Sequence, residues 1–220
     1  MARALETDVA RHYGKTGLAR TILDAIAAAG LDPQRLRPED LAPIDEFHIG
    51  GRPATRHAVA KMALQRDMHV LDVGCGLGGA SRYIASSVGC RVTGIDLTPE
   101  YIEVARLLAD STGLAERIEY RTASALDMPF AAASFDAAIT LHVAMNIADR
   151  PGLYREFPPG FFDLIIIDEC HRGSAKDEST WREILEYFVE SPACGYGICR
   201  LAWSNNILDW ITLHQVHPRS

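Results

Sequence analysis

The stretch Val70-Leu71-Asp72-Val73-Gly74-Cys75-Gly76-Leu77-Gly78-Gly79 decides the fold. An apolar run interrupted by one acid passes into a glycine-rich turn, and the residues after it, Gly78 to Val88, have helical character. Gly74, Gly76 and Gly79 fit the spacing G-x-G-x-x-G, and Asp96 follows 22 residues after Gly74. A strand-to-helix turn of this kind lets the backbone approach a ligand closely, and an acid after the next strand accepts hydrogen bonds from a ribose diol. The glycines and Asp96 suit NAD and S-adenosylmethionine equally. Asp72 separates the two. A carboxylate two residues before the first glycine repels a pyrophosphate but suits a ligand that lacks phosphate and carries a cationic sulfonium and ammonium.

Working outward, strands and helices alternate. The pattern predicts strand Met68 to Val73, helix Gly78 to Val88, strand Arg91 to Asp96, helix Pro99 to Ser111, strand Arg117 to Arg121 and strand Phe135 to Leu141. Thr98 stands as the cap of the second helix, Pro99 opens it and Gly113 follows it. Upstream, Leu18, Ile22, Ala25, Ile26 and Ala29 lie at helical spacing and stop at Gly30. Asp32 to Gly51 reads as loop, and a further helix is expected from Pro53 to Gln65. The order specifies an α/β fold: a Rossmann-like, doubly wound, mostly parallel sheet with N-terminal helices and an atypical C-terminal end.

Composition narrows the function. The 220 residues are 48% hydrophobic and 23% charged, with a net charge of -7, so a broad cationic surface for a phosphate backbone is not available and nucleic acid is not expected as a partner. Glu6, Asp8 and Arg11 stand where a secretory signal needs an apolar core, and no apolar run reaches membrane-spanning length, so a cytoplasmic location without membrane association is expected. Five scattered Cys form neither a disulfide framework nor a metal-ligand pattern.

With these residues in view, the chain from about residue 10 to 157 resembles the class I S-adenosylmethionine-dependent methyltransferases. It is most similar to the branch of glycine, sarcosine and dimethylglycine N-methyltransferases and quinone C-methyltransferases. The carriers are Val70 to Gly79, Val92 to Ala105, Ala125 to Phe130, Ser134 to Thr140 and His142 to Arg150. The resemblance implies S-adenosylmethionine as cofactor, held by Asp72, Gly74, Cys75, Gly76, Gly78, Asp96, Leu97, Ala125, Leu126 and His142. Asp72, Gly74 and Gly76 would line the methionine end and Asp96 the ribose; Leu97, Ala125 and Leu126 would flank the adenine. Asp45 to Arg52 looks like the family's N-terminal segment over the methyl group. His48, His142 and Tyr13 are the candidate catalytic residues, and a small-molecule acceptor, an amine first, is the implied partner. Proton removal from an amine could fall to His48, His142 or solvent. Cys75 reads as a small filler rather than a nucleophile.

Beyond Phe157 the pattern changes. Residues 1 to 156 hold 27 Ala and no Trp, whereas the last 64 residues hold 3 Ala and all three Trp, which marks a junction. Phe161 to Ser174, with Asp168-Glu169-Cys170-His171, and on to Phe188, resembles the DECH-box motif of superfamily 2 helicases, type I restriction motor subunits above all. The phosphate-cradling loop that such a motor needs is missing: Gly14-Lys15-Thr16 has Val9 where the first glycine belongs. The expected divisions are therefore a cofactor-binding region over 1–157, a motif II-like fragment over 158–190 and a tail or terminal hairpin over 191–220. Phe162 to Ile167 suits a buried fifth strand ending in Asp168 and Glu169, with a covering helix after Thr180.

Overall fold

A computed structural model of the chain describes residues 17–156, apart from Phe47, Ile49 and Ala148. The expected fifth strand, DECH-box segment and terminal hairpin, and Tyr13, lie outside the described residues. The chain divides after Ala148 into two units, described separately.

In the first unit, β1 (His69–Val73), β2 (Arg91–Asp96), β3 (Ile118–Thr122) and β4 (Ala137–Ile139) form one sheet in the order β3-β2-β1-β4, every neighbour parallel. Growth runs outward from β1 to β3 and then restarts on the other side of β1. This reversal puts a crevice at the carboxyl ends of β1 and β4, where open α/β sheets hold ligands. Parallel pairing needs long crossovers, and helices supply them. Between β1 and β2 runs the helix Gly79–Ser87, and between β2 and β3 the helix Pro99–Ser111.

Three helices precede the sheet: α1 (Leu18–Ala28), α2 (Pro38–Asp45) and α3 (Gly51–Lys61). The two crossover helices are then α4 (Gly79–Ser87) and α5 (Pro99–Ser111). Ile22 and Ile26, one turn apart on α1, are buried in a cluster with Leu36, Leu41, Leu77, Val104 and Leu108. That cluster fixes α1 against α5. Val70, Val92, Ile118, Tyr120 and Ile139 of the sheet join Ile84 and Ala85 of α4 and Ile102, Ala105 and Ala109 of α5 in the main core. Leu71, Val73 and Ile95, which alternate with these along β1 and β2, are buried too. A strand buried on both faces is what the continuous apolar run of β1 requires.

The structure corrects the predicted elements in four places. Asp32 to Gly51 is not all loop: Pro38 opens α2, Asp40 Oδ2 accepts from the Arg37 backbone N–H at 2.9 Å, and Leu41 is wholly buried. Charge and proline hid a helix that one buried leucine anchors. The next helix starts at Gly51 rather than Pro53 and stops at Lys61 rather than Gln65. Strand β4 is three residues long rather than Phe135 to Leu141, although Asp136 already meets β1, accepting from the His69 N–H at 2.8 Å. Thr98 occupies the N-cap position of α5, yet its side chain does not cap the helix; its hydroxyl serves Asp96 instead.

In the second unit the described element is α6 (Arg150–Arg155). The N–H of Gly152 in its first turn donates to Asp149 Oδ1 at 2.9 Å, a side-chain partner for one of the donors that a helix start leaves free.

Among the described residues no helix is long and apolar enough to cross a membrane.

Candidate functional site

The glycine loop leaves β1 at Gly74 and enters α4 at Gly79. Its first two N–H groups are committed to the neighbouring strand: Gly74 N and Cys75 N both donate to the Ile95 carbonyl, at 2.8 and 2.9 Å. The third, Gly76 N, donates to Asp96 Oδ2 at 2.9 Å. So Asp96, at the end of β2, is tied directly to the middle of the loop. Its other oxygen accepts from the Thr98 N–H at 2.9 Å. The Thr98 hydroxyl serves this carboxylate too, so Asp96 ties the loop to the start of α5. Burial pushes the Asp96 carboxyl above its ordinary range, and the bonds from Thr98 and Gly76 pull against it.

Gly76 has φ of +54°, a conformation that side chains resist, and a Cβ built there meets nothing within 4 Å among the described residues. The loop is open at that point and nowhere else along its glycines. A Cβ on Gly74 would overlap Val143, and on Gly78, φ +82°, it would overlap the Tyr120 hydroxyl. On Gly79 it would come within 2.7 Å of the Asp45 carbonyl. The contact of Gly74 with Val143 brings the loop after β4 against the loop after β1, at the carboxyl ends of the two strands.

Asp72 lies behind the loop rather than in it. It is 2% exposed and accepts from the Ser81 hydroxyl at 2.6 Å. Burial raises its pKa to about 6, Asp96 nearby adds to the rise, and the Ser81 bond opposes it. A carboxylate held so far from water gains from any cation placed near it.

His142 follows β4 with φ of +62°, and its Nε2 is buried without a hydrogen-bond partner among the described residues. A positive φ at a non-glycine residue and an unpartnered buried nitrogen are both uncommon in a folded chain. Ala125 and Leu126 form the half-buried tip of a turn closed by the Ser124–Asp127 bridge. The turn sits at the end of β3, where Ala123 N donates to the Asp96 backbone carbonyl at 3.0 Å. Leu97 is half-buried beside Asp96. Cys75 turns its thiol into the core, against the position where a Cβ on Gly94 would sit, and burial raises its pKa well above the usual thiol value. It is a buried filler whose Sγ also donates to the Gly76 carbonyl at 3.9 Å.

His48 is placed elsewhere. Its Nε2 lies 3.0 Å from Thr55 Oγ1 on α3 and 3.7 Å from Glu46 Oε2. What joins this corner to the loop is a residue that the sequence reading passed over, Arg82. Its Nη1 donates to the Leu77 carbonyl at 2.8 Å and its Nη2 to Asp45 Oδ2. Tyr120, also passed over, donates from its hydroxyl to the Gly78 carbonyl at 3.3 Å. The available signal was an arginine and a tyrosine at positions whose neighbours in the helix and strand pattern are core residues.

Comparison with known proteins places this geometry. The family model for a methyltransferase domain matches residues 71–158. The O-methyltransferase resE of Aspergillus sclerotiorum is 35% identical over 136 residues, 60% of this chain and 51% of that protein. The chloroplastic tocopherol O-methyltransferase of Arabidopsis thaliana is 36% identical over 67% of this chain and 42% of its own length. Phosphoethanolamine N-methyltransferase 1 of Arabidopsis thaliana is 36% identical over 55% of this chain and 25% of its own length. The chain thus spans about half, or less, of the length of these relatives. A second model, for the res subunit of type III restriction enzymes, matches residues 130–195. Its first part overlaps β4, which is paired to β1 in the sheet just described.

Proposed function

We propose that this chain, whose residues 71–158 match the family model for a methyltransferase domain, transfers a methyl group from S-adenosylmethionine to a small-molecule acceptor. The observation that carries the reading is the open face at Gly76, whose N–H is held by Asp96, with the buried carboxylate of Asp72 behind the loop. That setting suits a phosphate-free, cationic nucleoside and disfavours a dinucleotide or ATP. S-adenosylmethionine, when bound, supplies a methyl carbon activated by positive sulfur; an acceptor lone pair takes the methyl, and the S–C bond electrons stay on sulfur to give S-adenosylhomocysteine.

The chain's own work is then placement. Asp96 holds the ribose beside Gly76, with Leu97, Ala125 and Leu126 flanking the base. Asp72 balances the cationic end from behind the loop. His142 Nε2, left without a partner, is available on the crevice side to hold the acceptor or take its proton, and His48 is the other candidate for that proton. Transfer needs alignment and exclusion of water more than strong acid or base chemistry. We read the acceptor as an amine, on the resemblance to the N-methyltransferases; the phenolic acceptor of the tocopherol relatives is the competing class. A reducing, cytosolic setting suits the buried free thiols of Cys75 and Cys90.

The second family match supports reading 158–190 as a restriction-motor fragment joined near Phe157, and 191–220 as a tail beyond it. An ATP-driven activity has no such support, because the phosphate loop is absent from the sequence. Incubating the chain with methyl-labelled S-adenosylmethionine and panels of amines and phenols tests the proposal. Label transferred to an amine is the expected result; transfer to phenols alone would move the acceptor class, and S-adenosylmethionine failing to bind would end the reading.

A further inference from the structure

Arg82 has no exposed surface, and neither does the side chain of Asp45 that it binds. Asp45 ends α2, and its carbonyl lies against Gly79 at the start of α4. A charge pair sealed from water pays heavily in desolvation, and apolar residues of like volume would fill the space at less cost. What such residues could not supply is direction: the planar guanidinium grips the Leu77 carbonyl of the glycine loop with one nitrogen and Asp45 with another. From Asp45 the polar contacts continue. Glu46 Oε1 is 2.6 Å from Arg52 Nε, and Glu46 Oε2 accepts from the Thr55 hydroxyl at 3.1 Å. Thr55 Oγ1 lies 3.0 Å from His48 Nε2. Arg52 Nη2 lies 3.9 Å from Asp45 Oδ1, so ion pairs and hydrogen bonds, with this as the longest step, lead from the loop to the corner that carries His48.

The geometry points to Arg82 as a positioning residue that couples the glycine loop to the Asp45–Glu46 corner, so that cofactor binding and the ordering of that corner reinforce each other. The inference rests on the reading that the loop holds S-adenosylmethionine. Coupling of this kind is reciprocal: breaking the Arg82–Asp45 link weakens the cofactor, and the cofactor protects the corner. Arg82 touches neither cofactor nor acceptor in this account; it acts through Leu77.

The test uses the full chain and S-adenosylhomocysteine. Hydrogen exchange on the wild type is measured with and without the ligand, and affinities are then measured for Arg82→Met, Asp45→Asn, their double variant and Arg82→Lys. In the wild type, ligand is expected to slow exchange in peptides covering residues 45–58 as well as 74–82. Each single variant should bind roughly tenfold more weakly, within the range usual for coupled sites, and the double variant no more weakly than the worse single one. Arg82→Lys, which keeps the charge, should recover part of the loss. Ligand protection confined to 74–82 would overturn the coupling even if no variant folds, as would folded variants of unchanged affinity or strictly additive losses. A wild type that does not bind S-adenosylhomocysteine would instead remove the functional reading, and this inference with it.

Discussion

On one side of the glycine loop a Cβ at Gly76 would meet nothing within 4 Å among the described residues; on the other, at Gly78 and Gly79, it would run into Tyr120, Arg82 and Asp45. One residue type, a few positions apart, is required for two different reasons. At Gly78 and Gly79 glycine lets the protein pack against itself. At Gly76 it faces open space among the described residues. Glycine spacing alone does not separate these reasons, because G-x-G-x-x-G says where side chains are missing and not what fills the space.

The sharpest way to break this comparison is to put the same side chain on both sides. Gly78→Val combines overlap with Tyr120 and a positive φ, so a stability loss of about 3–5 kcal/mol is expected in urea denaturation. Gly76→Val bears only the dihedral strain, about 1–2 kcal/mol, and should stay folded by circular dichroism while losing cofactor binding. Equal destabilisation by the two would erase the distinction.

Asp72 sharpens the same contrast from behind the loop. Its folded-state pKa of about 6 lies above the ordinary 3.8, so the folded chain keeps a proton that the unfolded chain has lost. Stability of the free protein should therefore fall as pH rises from about 4 to 6 and level off above that. At one pKa unit per 1.36 kcal/mol the cost at neutral pH is about 3 kcal/mol. Asp72→Asn should recover up to that amount in thermal or urea unfolding at pH 7 and flatten the acid dependence. The same substitution should weaken S-adenosylmethionine, and in the wild type affinity should rise with pH until Asp72 is ionised. A variant no more stable than wild type would mean that Asp72 is not strained by burial.

Asp96→Ala removes the carboxylate beside Gly76, and a loss of about 1.5–3 kcal/mol in cofactor affinity is expected by calorimetry. An unchanged dissociation constant would move the ribose elsewhere. The smallest effect is reserved for Ser81→Ala. Without its hydroxyl the Asp72 carboxylate loses a stabilising partner, so the pH at which cofactor affinity reaches half its plateau should move upward, with an affinity loss at pH 7 of about 1 kcal/mol. A midpoint that moves down would show that Ser81 does not favour the ionised form.

The sequence reading reached far where periodicity and backbone chemistry agree. The strand Arg91–Asp96 and the helix Pro99–Ser111 fall where they were expected, because Pro99 and Gly113 punctuate a clean apolar repeat. The partnership of Asp96 with the loop was legible as well, since it follows from where a parallel β2 must end. Helix Pro38–Asp45 was not legible: its stabilising face is little more than Leu41, and its last residue, Asp45, serves a partner distant in the chain. Arg82 and Asp45 were unreadable as a pair for the same reason. They lie 37 residues apart, and each alone resembles a solvated surface charge. The double duty of Thr98, in cap position but bonded to Asp96, likewise depends on a strand end that only the folded sheet supplies.

The opening at Gly76, bonded to Asp96 and backed by the buried Asp72, is proposed to take a cationic nucleoside without phosphate. Parallel calorimetric titrations of the full chain with S-adenosylmethionine, S-adenosylhomocysteine, NADH and ATP at pH 7 address it most directly. Binding of the first two with no heat from the others is the predicted result; binding of NADH or ATP without S-adenosylmethionine would contradict it.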